Sequence, residues 1–232
     1  LMSGFHPLLS HLGGLQLIEN AVPVIEKWKK ANPELILHLE VASTQDKAVR
    51  KAIIEKIAPL ADSIGLNERE TIDLLEITGQ EELARQTEQE TNSCNLFKAI
   101  MFLMKRLKVK RIQLHMFGLY LTIQDSRFPY TAEQNLKGMM TAAVVSSSKA
   151  MHGEIVKYKD VSRTLGRPVS SQGIVELLSF ASMLNKPELL INGLCEVDGY
   201  QISAVPTILI DRPKTLVGMG DTISSVSLVA GR

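Results

Sequence analysis

Four residues near the C-terminal end carry the most pointed chemistry in this sequence: Gly218-Met-Gly220-Asp221. They follow an apolar run rich in β-formers at 204–210 and open a helical pattern in which Ile223, Val226 and Ala230 recur at three and four residues. A strand, a glycine-rich turn and a helix N-terminus together make an anion site. Glycine lets the backbone approach without a Cβ in the way, and the free N–H groups and positive dipole end of the helix face the anion. Simple phosphate binding has no need of an Asp in that mouth, whereas a general base for a substrate hydroxyl in phosphoryl transfer is such a group. The plain alternative is that Asp221 is an N-cap, a position Asp favours. Taken alone, four residues favour that alternative.

Two further pairs have spacing that could serve the same chemistry. Asn67-x-x-Glu70 follows a short apolar stretch and opens a helix; it reads either as an ordinary capping box or as an amide and a carboxylate holding the water shell of Mg²⁺, which keeps several waters of its own. His38-Leu-Glu40 puts two polar side chains on one face of a strand. Buried, they need partners, so a strand end beside a wet site and a solvated strand terminus are equally good readings. Lys105, Arg106, Lys108 and Lys110 follow a helix C-terminus, where cations are ordinary, which leaves Arg111 as the one member of that run with a case for a site. His6, His11 and His152 show no ligand spacing, and Leu96, Phe97, Ile100, Met104 and Leu107 form a core stripe.

The elements that must position these residues alternate. Helical patterns are read to about Ala31, from a cap at 43–46 through Leu60, from Asn67, over 96–107, from a capping box at Thr131–Gln134 to about Met151, and over 170–184. Strands are read at 35–41, 62–66, 111–116, 119–123, 200–204 and 207–210, with 153–168 irregular. This alternation predicts an α/β domain with a largely parallel sheet and helices on both faces. Ligands of such sheets bind at the carboxyl ends of the strands, so Gly4–His6, Glu40–Thr44, Asn67–Glu70, His115–Gly118 and Gly218–Asp221 are expected along one rim. The 232 residues, 45% hydrophobic, suffice for one sizeable core. A net charge of +1 supplies no field for nucleic acid or anionic lipid. No run approaches a membrane span, and two cysteines without metal spacing fit a reducing cytoplasm. Leu1–Gly4 reads as the tail of a buried strand with nothing ahead of it to pair, and the last helix is short, so the chain is expected to be part of a longer protein.

In order, Leu1-Met-Ser-Gly-Phe-His6, His38-Leu-Glu40, Asn67-x-x-Glu70, Arg111-Ile-Gln-Leu-His115 and Val217-Gly-Met-Gly-Asp-Thr-Ile-Ser224 resemble one family. It is the ADP-dependent sugar kinases, the glucokinases and phosphofructokinases of archaea and their animal relatives, within the ribokinase-like superfamily. Gly-x-Gly-Asp and Asn-x-x-Glu are shared across the superfamily; the His-x-Glu element and the phrase at 40–43 point to the ADP-dependent branch. The resemblance implies a three-layer, Rossmann-type sheet and covers the C-terminal half of the family's members. The lid domain and the N-terminal strands would then lie outside this chain, making residues 1–232 the nucleotide-binding and catalytic part of the large domain, with the missing half as a partner. Asp221 would be the base, and Gly218 and Gly220 would steady the phosphoryl. Val217, His115 and Arg111 would flank ADP, while Glu70 and Asn67 would organise Mg²⁺ with support from His38 and Glu40. The reaction implied is transfer of the β-phosphoryl of ADP to fructose 6-phosphate or glucose, leaving AMP. The competing reading is a nucleotide-binding fragment that turns nothing over because it lacks its lid and sugar site.

Overall fold

Apolar side chains at intervals of three and four build the first helix, α1 (Gly14–Ala31), whose Ile18 and Ile25 are buried although Pro23 lies within it. The computed structural model describes residues 1–41, 44–154 and 157–232; Ala42 and Ser43, within the phrase at 40–43 and the expected cap at 43–46, lie outside the described residues. The chain continues through β1 (His38–Glu40), α2 (Lys47–Ala52), a π-helical turn (Ile53–Ile57) and a 3₁₀ turn (Ala58–Leu60). Next come β2 (Ser63–Leu66), α3 (Glu68–Ile77), α4 (Glu81–Gln89), α5 (Ser93–Leu107), β3 (Arg111–Met116) and β4 (Leu119–Gln124). The remainder is α6 (Ala132–His152), α7 (Tyr158–Thr164), α8 (Ser171–Leu184), α9 (Glu188–Asn192), β5 (Leu194–Val197), β6 (Tyr200–Pro206) and α10 (Met219–Ala230).

The strands form one sheet in the order β1-β2-β3-β4-β6-β5. Pairing is parallel from β1 to β3 and antiparallel from β3 through β4 and β6 to β5. Strands β1, β2, β3 and β6 therefore run one way and β4 and β5 the other, so the sheet is mixed with a majority direction. Met2 adds a single parallel bridge outside β1: its N–H donates to the His38 carbonyl at 2.7 Å and its carbonyl accepts from Glu40 at 2.9 Å.

The two faces of the sheet differ in chemistry because side chains alternate along a strand. One parity is apolar: Leu39, Ile64, Leu66, Ile112, Leu114 and Met116 join the large core with Leu96, Ile100 and Leu103 of α5. The other parity is polar: His38, Glu40, Ser63, Arg111, Gln113, Thr122 and Gln124 are all buried, beneath α6 and α10. Those two helices approach closely through small residues; a Cβ on Gly138 would overlap the Ser227 carbonyl. No helix among the described residues is long and apolar enough to cross a membrane.

Several elements depart from the sequence reading. Residues 207–210 are not a strand. Pro206 ends β6 opposite Leu119, the first residue of β4, and has no N–H with which to extend a ladder. Thr207 donates instead to the Gly118 carbonyl at 2.8 Å and accepts from Ser170 at 2.7 Å. Strand β5 went unread, although the turn that joins it to β6 carries a recognisable hairpin signal: Asp198 and Gly199 sit at φ 53° and 78°. The helix from Asp46 is not continuous to Leu60 but passes into the π turn and then the 3₁₀ turn, which contains Pro59. The capping box at Thr131 is present, Gln134 donating to its hydroxyl at 3.2 Å and accepting from its N–H at 2.8 Å. Thr131→Ala should cost about 1 kcal/mol in denaturant unfolding and leave nucleotide affinity unchanged; a loss of binding would mean that α6 answers to this cap over its whole length.

Candidate active site

The parallel strands bring their carboxyl ends to one rim, and alternation aims Glu40 of β1 and His115 of β3 at the first turn of α10. One Glu40 oxygen lies 3.2 Å from Nε2 of His115. The other accepts from the Ser224 hydroxyl of α10 and faces Nε2 of His38 at 3.4 Å. Nδ1 of His38 in turn meets the Ser63 hydroxyl at 2.9 Å. Burial works to raise the Glu40 carboxyl, but the adjacent His115 ring and the bonds from His38 and Ser224 outweigh it and hold the group below its ordinary value. Burial lowers the His38 imidazole, with Glu40 opposing. Two glycines clear the space for this carboxylate, since a Cβ at Gly65 or at Gly220 would overlap its oxygens.

Asn67 and Glu70 form the capping box of α3, each accepting from the other's backbone N–H at 2.9 Å. The cap does not take Glu70 away from the rim. Glu40, Glu70 and His115 each offer a ligand atom within 4.8 Å of the others, and Nδ1 of His115 is buried with no hydrogen-bond partner among the described residues. Asn67 and Glu70 are thus a capping box, and Glu70 has a place in this cluster as well. Gly218, at φ +66°, is the N-cap residue of α10, and Asp221 stands exposed in the first turn. Asp221 is therefore not the N-cap.

Val217, Gly218, Gly220 and Asp221 share a hollow of about 410 Å³ with Glu40, Asn67, Glu70 and His115. It adjoins a cleft of about 600 Å³ walled by Phe117, Tyr120, Ser147, Ile208, Leu216 and Met219, with His115 and Asn67 on the border of both. That volume is in the range of small-molecule sites. The arrangement can hold an anion at the α10 N-terminus, a divalent cation beside it, and a flat apolar group farther in.

Arg111 sits differently from its expectation, and His38 and His115 have partners that the sequence did not indicate. Arg111 does not flank the cleft: it begins β3 at the far end of the sheet, is 0% exposed, and bonds to Asn135, Ser63 and Gln113. Burial draws its guanidinium down to about 9. A hydrophilic type in an apparently site-bearing segment proved to be a partner for the polar face of the sheet. His38 is wholly buried with both ring nitrogens engaged, so it supports Glu40 rather than reaching a metal. His115 contributes to the carboxylate cluster as well as to the cleft wall. The sequence reading missed Ser224, Gly65, Lys149 and Glu68; Lys149 donates to the Gly218 carbonyl, and Glu68 accepts from the Phe117 N–H at 2.6 Å. Of these, only Gly65 carried a signal, as a lone glycine inside a strand pattern.

Comparison with known proteins agrees with the fold. Residues 1–230 match the model of the ADP-specific phosphofructokinase/glucokinase conserved region. An ADP-specific phosphofructokinase of Methanosarcina acetivorans is 33% identical over 92% of this chain and 45% of its own length. An ADP-dependent glucose/glucosamine kinase of Pyrococcus abyssi is 32% identical over 99% of this chain and 48% of its own. A solved ADP-dependent kinase in complex with fructose-6-phosphate and ADPbetaS superposes with a TM-score of 0.86 at 30% identity, covering 94% of this chain and 49% of that one. The chain thus spans about half the length of the relatives it matches. Over that span it belongs to the ADP-specific phosphofructokinase/glucokinase family.

Proposed function

We propose that this chain is the nucleotide-binding and catalytic part of an ADP-dependent sugar kinase, which moves the β-phosphoryl of ADP to a hydroxyl of fructose 6-phosphate or glucose and leaves AMP. The observation that carries this reading is the convergence of Asp221, the glycine turn and the Glu40–Glu70–His115 cluster on one hollow at the mouth of a nucleotide-sized cleft. The relatives named for ADP and for either sugar support the reaction class and leave both acceptors in play.

The chain's groups divide the work. The Gly220 and Asp221 N–H groups in the first turn of α10 face the transferring phosphoryl and meet its charge without reorganising. Asp221, exposed beside them, accepts the proton of the sugar hydroxyl. The Glu40 and Glu70 carboxylates fit Mg²⁺, either directly or through its retained waters, and the His115 imidazole borders them. When bound, Mg²⁺ supplies charge neutralisation at the phosphoryl oxygens. Glu70 and Glu40 would hold that cation, and Ser224 and His38 fix the rotamer of Glu40.

The test is AMP formation by the protein of the full reading frame, given ADP, Mg²⁺ and either sugar. ADP binding with no AMP formed would favour the non-catalytic reading. Glu70→Gln separates the metal role from the cap, because a capping box tolerates Gln. Folding should be unchanged while the half-saturating Mg²⁺ concentration for turnover rises about tenfold or more. An unmoved concentration sinks the metal role.

A further inference from the structure

Lys149 lies in the last turn of α6, where its own helix dipole favours a cation. Its hydrogen bonds nevertheless cross to α10: Nζ donates to the Gly218 carbonyl at 3.0 Å and to the Thr222 hydroxyl at 2.9 Å. That places a cation at the positive end of α10, which works against that helix. The Gly218 carbonyl also has other donors, accepting from the Thr222 N–H at 3.1 Å and from the Thr222 hydroxyl at 2.8 Å. Helix stability alone gives no reason for a third.

A reason emerges from what the carbonyl controls. Gly218 is left-handed and has no side chain to hold it. The peptide it begins is planar, so gripping its oxygen fixes the plane of the 218–219 peptide, whose own N–H donates to the Leu216 carbonyl at 3.3 Å, and with it the start of α10 that carries the Gly220 and Asp221 N–H groups. A Cβ built on Gly218 would lie 3.3 Å from Nζ of Lys149 and 4.0 Å from a carboxylate oxygen of Asp221, so ammonium and carboxylate border the same point of backbone. The same end of α6 also receives the incoming loop, the Ala150 carbonyl accepting from the Lys214 N–H at 2.7 Å.

We propose that Lys149 is a positioning residue for phosphoryl transfer: by holding the Gly218 carbonyl and the Thr222 hydroxyl it orients the glycine turn and Asp221 toward the anion. The inference rests on the sugar-kinase reading above for its catalytic consequence, and on geometry alone for the grip.

Two measurements on the protein of the full reading frame decide it. In Lys149→Met, hydrogen exchange at the amides of residues 219–222 should accelerate while the rest of the map is unchanged. The kcat should fall about 10–10²-fold, as for a small misplacement of reacting groups, with KM for ADP and sugar within about threefold. Lys149→Cys treated with bromoethylamine, which rebuilds a side chain of lysine length ending in an ammonium, should recover both readouts relative to identically treated wild type. Unchanged exchange in Lys149→Met, or a kcat within about threefold of wild type, overturns the proposal. So does a loss that aminoethylation does not restore, since that marks a packing defect. If wild type forms no AMP from ADP with any sugar, the kinase reading and the catalytic role fall together, while the exchange result still decides the grip.

Discussion

Asp221→Asn should lower AMP formation by about 10²–10⁴-fold, the range typical of a lost positioned base, while ADP affinity stays within about threefold. The structure separates these outcomes. Gly218 occupies the N-cap position, and the Asp221 side chain is exposed in the first turn, so the amide replaces the carboxylate without removing a cap or leaving a buried group unpaired. What is lost is the ability to accept a proton, together with one negative charge in the first turn of α10. Rate measurement with saturating ADP and sugar, together with calorimetric titration of ADP, reads both quantities. Near-normal turnover would reduce Asp221 to a surface residue of α10, and a parallel loss of ADP binding would assign it to the nucleotide instead.

Gly65→Ala should both destabilise the fold and disable the site. Gly65 is the third residue of β2, between β1 and β3 and beneath α10. Its missing Cβ leaves the room taken by the Glu40 carboxylate, and the same atom would lie 2.8 Å from both Nε2 of His38 and the Ser224 hydroxyl. None of these can retreat easily: His38 is fully buried, and Glu40 is held from both sides by His115 and Ser224. We expect destabilisation of about 1–3 kcal/mol, typical of overpacking, with activity lost because Glu40 is displaced from the cluster. Gly166→Ala, where the nearest atom to a new Cβ is 3.8 Å away, should stay within about 0.5 kcal/mol of wild type. Equal unfolding midpoints for the two variants would show that the packed carboxylate adapts and that Gly65 is not required.

What could be read from the sequence was local. Periodicities of three to four and of two located α1, α5, α6, β3 and β4, because side-chain burial repeats with backbone geometry whatever the fold. The capping boxes at Asn67 and Thr131 were legible for the same reason, each being a pattern of four residues that satisfies its own helix end. Gly218-Met-Gly-Asp221 was recognisable as a turn into a helix, and the order of the five motifs was enough to point to the family.

Tertiary structure decided which of those residues meet. Whether His38 and Glu40 belong to a wet strand end or to a buried network depends on α10 lying over β1, a contact between residues far apart in the chain. The exclusion of Arg111 from the cleft follows from its place at the start rather than the end of β3, so that the side chain serves the polar underside of α6. His115, at the other end of the same strand, reaches the rim. The failure of 207–210 to pair was set by where β4 begins, which no local pattern records. Lys149 and Gly65 acquire their roles only from neighbours that folding delivers, the turn before α10 and the carboxylate of β1. Local sequence specifies helices and strands because their hydrogen bonds close over a few residues; a site assembled from five elements is specified only when the sheet order and helix packing have set the distances between them.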